Sequence, residues 1–220
     1  MTDQNRSYIP TSPPIMDEPA RTSRFRRNRG EGIKSVFSTL VVLLVAPLIA
    51  IFLTVFVFQS YQVDGESMET TLSHNDRLVV WKMPKTWSKL TGHAYIPNRG
   101  DIVVFTEPEL GQFGQDPGKQ LIKRVVGLPG ERVVVSENKL TVYNDEHPGG
   151  FRPDEDLPYG GIIKSTPLEG DWTVGDDQLF VIGDNRSNSL DSRTFGPVNA
   201  DNIVGKLAIR VLPVGEIKKF

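Results

Sequence analysis

Apolar residues crowd into one uninterrupted block near the start of the chain, then break into short bursts. Val36–Phe58 reads VFSTLVVLLVAPLIAIFLTVFVF, 23 residues without a charge. As a helix rising about 1.5 Å per residue, such a block extends roughly 34 Å, enough for a bilayer core. A secretory signal has a shorter apolar region, about 7–15 residues. The pattern predicts a transmembrane helix over 35–59, with Pro47 near its middle, where lipid-embedded helices tolerate proline. Beyond it lie short runs rich in Val and Ile: Arg77–Trp81, Asp101–Thr106, Leu121–Val126, Arg132–Val135, Lys139–Tyr143, Gln178–Ile182 and Ile203–Val211. Turn signals such as Gly127-Leu128-Pro129-Gly130 and Gly183-Asp184-Asn185 bound them. This is the pattern of strands. Asp145–Asp171, dense in Pro and Gly, predicts a loop-rich excursion.

Charge gives the apolar block a direction. Residues 1–35 hold seven Lys/Arg against four acids, a net of +3, and the remainder, 18 against 23, is −5. Residues 1–34 carry Pro10, Pro13, Pro14 and Pro19, a cluster of Arg and no apolar periodicity, which predicts a disordered basic tail. Basic residues flank the N-terminal side of the block, and the first charge after it is Asp64. The positive-inside rule puts the tail in the cytoplasm and residues 60–220 outside, in a single-pass protein of the cell membrane.

Composition removes several chemistries. The 220 residues include no Cys, which excludes disulfides, thiol nucleophiles and Cys-based zinc sites. The three His (His74, His93, His147) have no ligand spacing, so no metal is expected. An overall charge of −2 offers no basic surface for nucleic acid.

Four motifs remain. Gly65-Glu66-Ser67-Met68-Glu69-Thr70-Thr71-Leu72 sets a serine nine residues after Phe58, within about 32 Å of the span even when fully extended. Taken alone it is a turn or a helix cap. Arg99-Gly100-Asp101 feeds a hydrophobic strand, with Asp101 suited to bonding turn amides. In Leu121-Ile122-Lys123-Arg124-Val125-Val126, alternation sends Lys123 and Arg124 to opposite, otherwise apolar faces. A lysine buried there loses its preference for the charged form, and a neutral amine is a competent base. Gly183–Gly196 is dense in hydrogen-bonding side chains, read either as a polar loop stitched by Asp–Arg pairs or as support for a reactive side chain.

In this order the motifs resemble bacterial signal peptidase I, the membrane-bound serine protease that removes signal peptides from exported proteins. The match frames most of residues 36–198, and Gly-Asp-Asn-Arg followed by Ser189-x-Asp191-Ser-Arg193 is its most specific part. Two positions depart from the family pattern: Thr70 stands where Pro is usual, and Glu131 where Asp is usual.

The resemblance implies a mostly β fold: a transmembrane helix, then an antiparallel β catalytic core over 60–130 and 178–220, with a smaller inserted lobe over 131–177. It implies a Ser–Lys dyad in which Ser67 attacks and Lys123 is the general base, with no cofactor. It further implies that Ser189 hydrogen-bonds the Lys123 amine, that Asp191 and Arg193 form a supporting ion pair, and that the Ser67 N–H binds the oxyanion. Some members add a Ser hydroxyl two residues before the nucleophile; Gly65 lacks it.

The implied partners are signal peptides of exported preproteins and the lipid bilayer. The peptide, cut after small residues of the Ala-x-Ala type, would pair with the backbone of Gln62, Val63, Asp64 and Gly65 on one side and Gln120, Leu121, Ile122 and Lys123 on the other. Tyr61, Val63, Ile122 and Val125 are expected to line its pockets. The alternative is a membrane-anchored β binding module or inactive homologue.

Overall fold

A computed structural model describes residues 29–82, 85, 86, 88, 92, 95–114, 116 and 118–220. Most of the expected N-terminal tail lies outside the described residues, as does His93. Residues 29–34, assigned to that tail from the sequence, are helical: α1 runs Arg29–Phe52 with Pro47 inside it, followed by one π-helical turn, Leu53–Val57. Once the apolar block is helical, each added residue gains a backbone bond, and no proline stands between Arg29 and the block to stop extension. Among the described residues Phe37–Val57 is the one segment long and apolar enough to cross a membrane.

The helix ends at Val57, two residues before the limit of 59 expected for the span. Phe58–Gln62 forms β1, paired with β2 (Arg77–Trp81), Phe58 opposite Trp81. The remaining strands are β3 (Ile102–Thr106), β4 (Gln120–Gly127), β5 (Arg132–Ser136), β6 (Lys139–Tyr143), β7 (Gly170–Thr173), β8 (Gln178–Ile182), β9 (Val198–Asn199), β10 (Ile203–Leu212) and β11 (Lys218–Lys219). Strand β7 falls at the end of the segment read as loop. Its Gly-Asp-Trp-Thr sequence has no apolar run, and it exists because Arg132–Val135 of β5 offers it an edge.

All pairings are antiparallel. The main sheet runs β1-β2-β10-β3-β4-β8-β9, with β11 on β10, and the smaller sheet runs β6-β5-β7. The smaller sheet occupies the 131–177 stretch, yet residues 46–220 form one compact unit. Val126, Phe180 and Ile182 of the main sheet pack with Val133, Val135, Leu140 and Val142 of the smaller one, all buried. Each such side chain contributes roughly 1.5–3 kcal/mol on removal from water. A second cluster (Val103, Phe105, Val125, Leu179, Val181) fills the centre of the main sheet. A third (Val63, Met68, Leu72, Leu78, Ile102, Leu207) lies under the Ser67 motif.

Candidate active site

Strand β4 pairs with β3 over Gln120–Arg124 but meets β8 only from Arg124 onward. Its two adjacent cations therefore have different surroundings. Arg124 is riveted: Nε and Nη2 donate to the two carboxylate oxygens of Asp184 at 2.8 and 2.6 Å, and Nη1 donates to Gly100 O at 2.7 Å. Its guanidinium also lies 4.3 Å from the centre of the Tyr159 ring. Asp184 in turn accepts from the Thr71 hydroxyl at 2.5 Å, tying the segment after Ser67 to the Gly183 turn.

Lys123 is 2% exposed. Its Nζ lies 2.7 Å from Ser67 Oγ and 3.0 Å from Ile122 O. Burial pulls the amine down to a pKa of about 8; Asp191 and Asp184 pull the other way, and Lys119 adds to the depression. At neutral pH a usable fraction is neutral, and at that distance a neutral amine can accept the serine proton.

Ser67 is held from three directions. Before it, Val63 pairs with the 75–76 backbone (Val63 N to Asp76 O and Asn75 N to Val63 O, both 2.9 Å). After it, the chain coils into turns (Thr71 N and Leu72 N to Met68 O, 2.9 and 2.8 Å) that bury Met68 and Leu72. Across from it, Asn185 N donates to Ser67 O at 3.0 Å and Asn185 Nδ2 to Glu66 O at 3.1 Å.

Asp191 and Arg193 form a buried, two-pronged ion pair (2.9 and 2.8 Å), and Asp191 Oδ2 also accepts the Gly183 N–H at 3.0 Å. Ser189 departs from the expectation. Its Oγ is buried without a hydrogen-bond partner, and the Lys123 amine bonds Ser67 and Ile122 instead. Ser189 packs against Gly183 and sits beside the Ser67 carbonyl: a Cβ built on Gly183 would collide with both Ser189 Oγ and Ser67 O.

These residues open onto a groove of about 570 Å³ lined by Gln62, Val63, Asp64, Gly65 and Ser67 on one wall and Gln120, Leu121, Ile122 and Lys123 on the other. Two strand edges face it. Val63 bonds inward to residues 75 and 76, so Gln62 and Asp64 present their backbone groups to the opposite side. Val125 bonds to Gly100 and Asp101, so by alternation Gln120 and Ile122 point away from β3.

Val125 corrects one expectation. It is fully buried in the central cluster and lines no part of the groove, because β8 already covers that stretch of β4. Its place is taken by Leu78, Val104 and Leu190 together with Tyr61 and Ile122. Sequence reasoning also missed His74, Lys119 and Asn188, which line the groove as well. Their only signal was nearness to the Ser67, Lys123 and Ser189 motifs. The two departures from the family pattern are accommodated. Glu131 accepts from Arg99 Nη2 (2.5 Å), Leu128 N and Asn144 Nδ2 (both 2.8 Å). Although burial alone would raise its pKa, these donors hold the carboxyl below its ordinary value. Thr70 is exposed.

Residues 36–212 match the family model described as signal peptidase, peptidase S26. A probable signal peptidase I-1 of Synechocystis sp. is 38% identical over 188 residues, covering 81% of this chain and 85% of its own length. The signal peptidase I of Leptolyngbya laminosa is 33% identical over 223 residues, covering 99% and 96%. A crystal structure of a signal peptidase I from Enterococcus faecalis aligns at 27% identity with a TM-score of 0.36, over 51% of this chain and 97% of the other. With most of its length inside the family model and two relatives above 30% identity across it, the chain belongs to peptidase family S26, the signal peptidases.

Proposed function

We propose that the chain is a membrane-anchored serine endopeptidase that cuts signal peptides from exported preproteins after small residues, using Ser67 as nucleophile and Lys123 as general base. One observation carries this assignment: a lysine amine buried to 2% exposure lies 2.7 Å from a serine oxygen at the head of an open groove. The neutral Lys123 amine takes the Ser67 proton as Oγ attacks the scissile carbonyl. The Ser67 N–H faces the developing oxyanion. The protonated amine then delivers its proton to the leaving amine, and an acyl-enzyme on Ser67 remains. Neutral again, Lys123 activates the water that releases the new carboxylate.

The Asp191–Arg193 pair, through Gly183 and the Ser67 carbonyl packed on it, fixes the floor of the site. Ser189 is a positioning residue for the amine: its unpartnered hydroxyl is free to rotate toward a lysine that changes charge during the cycle. The peptide enters as a strand between the edges of Gln62–Gly65 and Gln120–Lys123, each offering main-chain donors and acceptors. Leu78, Val104 and Ile122 give the groove an apolar lining, against which small side chains of the peptide would pack. The tail lies in the cytoplasm and the β body on the outer face, as the flanking charges direct.

Purified protein incubated with an exported precursor tests this. Wild type should release the signal peptide, while Ser67→Ala and Lys123→Ala should leave the precursor intact. Full activity in either variant overturns the dyad, and a wild type that cleaves no precursor overturns the proteolytic assignment.

A further inference from the structure

The backbone that delivers Ser67 leaves the β ladder at Val63 and is caught again where Asn185 bonds Glu66 O and Ser67 O and where Glu69 N bonds Glu66 O at 3.1 Å. Between these points, among the described residues, Gly65 supplies the single N–H of residues 64–66 that meets an acceptor. That acceptor is His74 Nδ1, at 3.2 Å. Gly65 has φ +105°, and nothing lies within 4 Å of where its Cβ would stand, so no packing stiffens the turn. Ser67 is held by the contacts around and after it, so residues 64–66 are the sparsely bonded part of its approach, and their torsions contribute to where its N–H and Oγ point.

His74 is itself rigidly presented. It sits in a tight turn closed by Asp76 N to Ser73 O (3.1 Å) and Ser73 N to Asp76 Oδ2 (2.9 Å), with Asn75 at φ 72°. Asp76 is buried and braced by Arg210 Nη1 at 3.1 Å. Gln62 Nε2 donates to Asn75 Oδ1 at 2.8 Å, locking the turn to the strand that leads to Ser67. The imidazole thus projects from a fixed base onto a loose segment.

We infer that His74 is a positioning residue of the reaction: its ring nitrogen, acting as a hydrogen-bond acceptor, fastens the Gly65 amide and so holds the turn that aims Ser67 at the scissile carbonyl. This role rests on the proteolytic assignment above. An acceptor at Nδ1 puts the ring proton on Nε2, so the ring serves in its neutral form. Two charges stand near: Asp64 Oδ1 is 3.8 Å from Nδ1, and Lys119 Nζ is 3.9 Å from Asp64 Oδ2. Neither can replace His74: Asp64 belongs to the loose stretch itself, and Lys119 has no acceptor.

The test compares substitutions by acceptor capacity rather than size. His74→Asn keeps an oxygen acceptor near the position of Nδ1, His74→Lys keeps a polar side chain that only donates, and His74→Ala keeps neither. With the full-length protein in detergent and an exported precursor, His74→Ala and His74→Lys should each lower kcat roughly five- to tenfold, as loss of one hydrogen bond implies. KM should stay within about twofold, since the groove walls persist, and His74→Asn should restore most of kcat.

A readout independent of activity accompanies this: hydrogen exchange at the Gly65 amide, followed by NMR. Exchange should quicken about tenfold in His74→Ala and His74→Lys but not in His74→Asn. Wild-type kcat in His74→Ala, or a His74→Asn variant as slow as His74→Ala, overturns the inference, as does equal Gly65 exchange in all four proteins. If exchange follows acceptor capacity while wild type cleaves no precursor, the fastening stands and the proteolytic assignment falls.

Discussion

Lys123 has to be desolvated to be a base, and that has consequences at two levels. For the proposed reaction, the neutral fraction sets the rate. With a pKa of about 8, kcat/KM should climb tenfold per pH unit below that value and level off above it, so that cleavage at pH 6 runs at about 1% of the plateau. A rate that is flat from pH 5 to 9, with chemistry rate-limiting, contradicts the base role. For stability the sign runs the other way from the usual lysine that gains a partner. Between about 8 and the ordinary 10.5 the unfolded chain binds a proton that the folded chain has lost. Stability therefore rises with pH across that window, and below it the buried amine is a standing penalty of up to about 3 kcal/mol. Lys123→Met, similar in reach and uncharged, should unfold at higher denaturant than wild type at pH 7. That advantage should fade toward pH 10.5 in chemical-denaturation curves. The sequence exposed this residue because a cation in the middle of an apolar strand is conspicuous. It did not reveal the orphaned Ser189 hydroxyl or the fastening by His74, since both depend on which rotamer and which turn meet in space.

Among the elements, the turn after β8 does most to hold the site together. Gly183 brings the β8 chain against the Ser67 carbonyl so closely that a methyl group has no room, and its N–H is fixed by Asp191. Gly183→Ala should push Ser67 and Ser189 apart, costing roughly 1–3 kcal/mol in overpacking. A displacement near 1 Å of the nucleophile lowers activity about a hundredfold. Gly161→Ala, where an added Cβ meets nothing within 4 Å, is the control and should leave both activity and melting temperature unchanged. The strands that carry the chemistry were legible from their Val- and Ile-rich runs and bounding turns. Two were not. At Phe58–Gln62 the sequence runs from the apolar block straight into a strand, and hydropathy alone does not separate a lipid-facing helix from a pairing edge. Gly170–Thr173 has no strand pattern of its own and takes its form from its neighbour β5.

At the scale of the whole molecule, the apolar helix and the β body raise the question of what the anchor contributes. Substrate and enzyme held in one bilayer meet at raised effective concentration, a gain that needs no added contact. The π turn Leu53–Val57, however, also serves the fold. Val55 O accepts from Lys82 Nζ at 2.7 Å, Phe56 O from Thr86 Oγ1 at 3.1 Å, and Val57 O from Lys82 N at 2.8 Å. The two roles separate by where the chain is cut. A variant starting at residue 53 keeps these acceptors and, in detergent, should melt near wild type and cleave a short soluble peptide with unchanged kcat/KM. Against a precursor embedded in lipid vesicles it should be about a hundredfold slower, the low end of the gain that tethering provides. A variant starting at residue 59 loses the three acceptors as well and should melt lower, with Lys82 Nζ left only its bond to Gln59 Oε1 and the Lys82 N–H and the Thr86 hydroxyl without these partners. Equal rates on vesicle-embedded precursor with and without residues 1–52 would remove the encounter role and leave the helix a purely locational one. A start at 59 that melts like the start at 53 would show that the π turn belongs to the span alone.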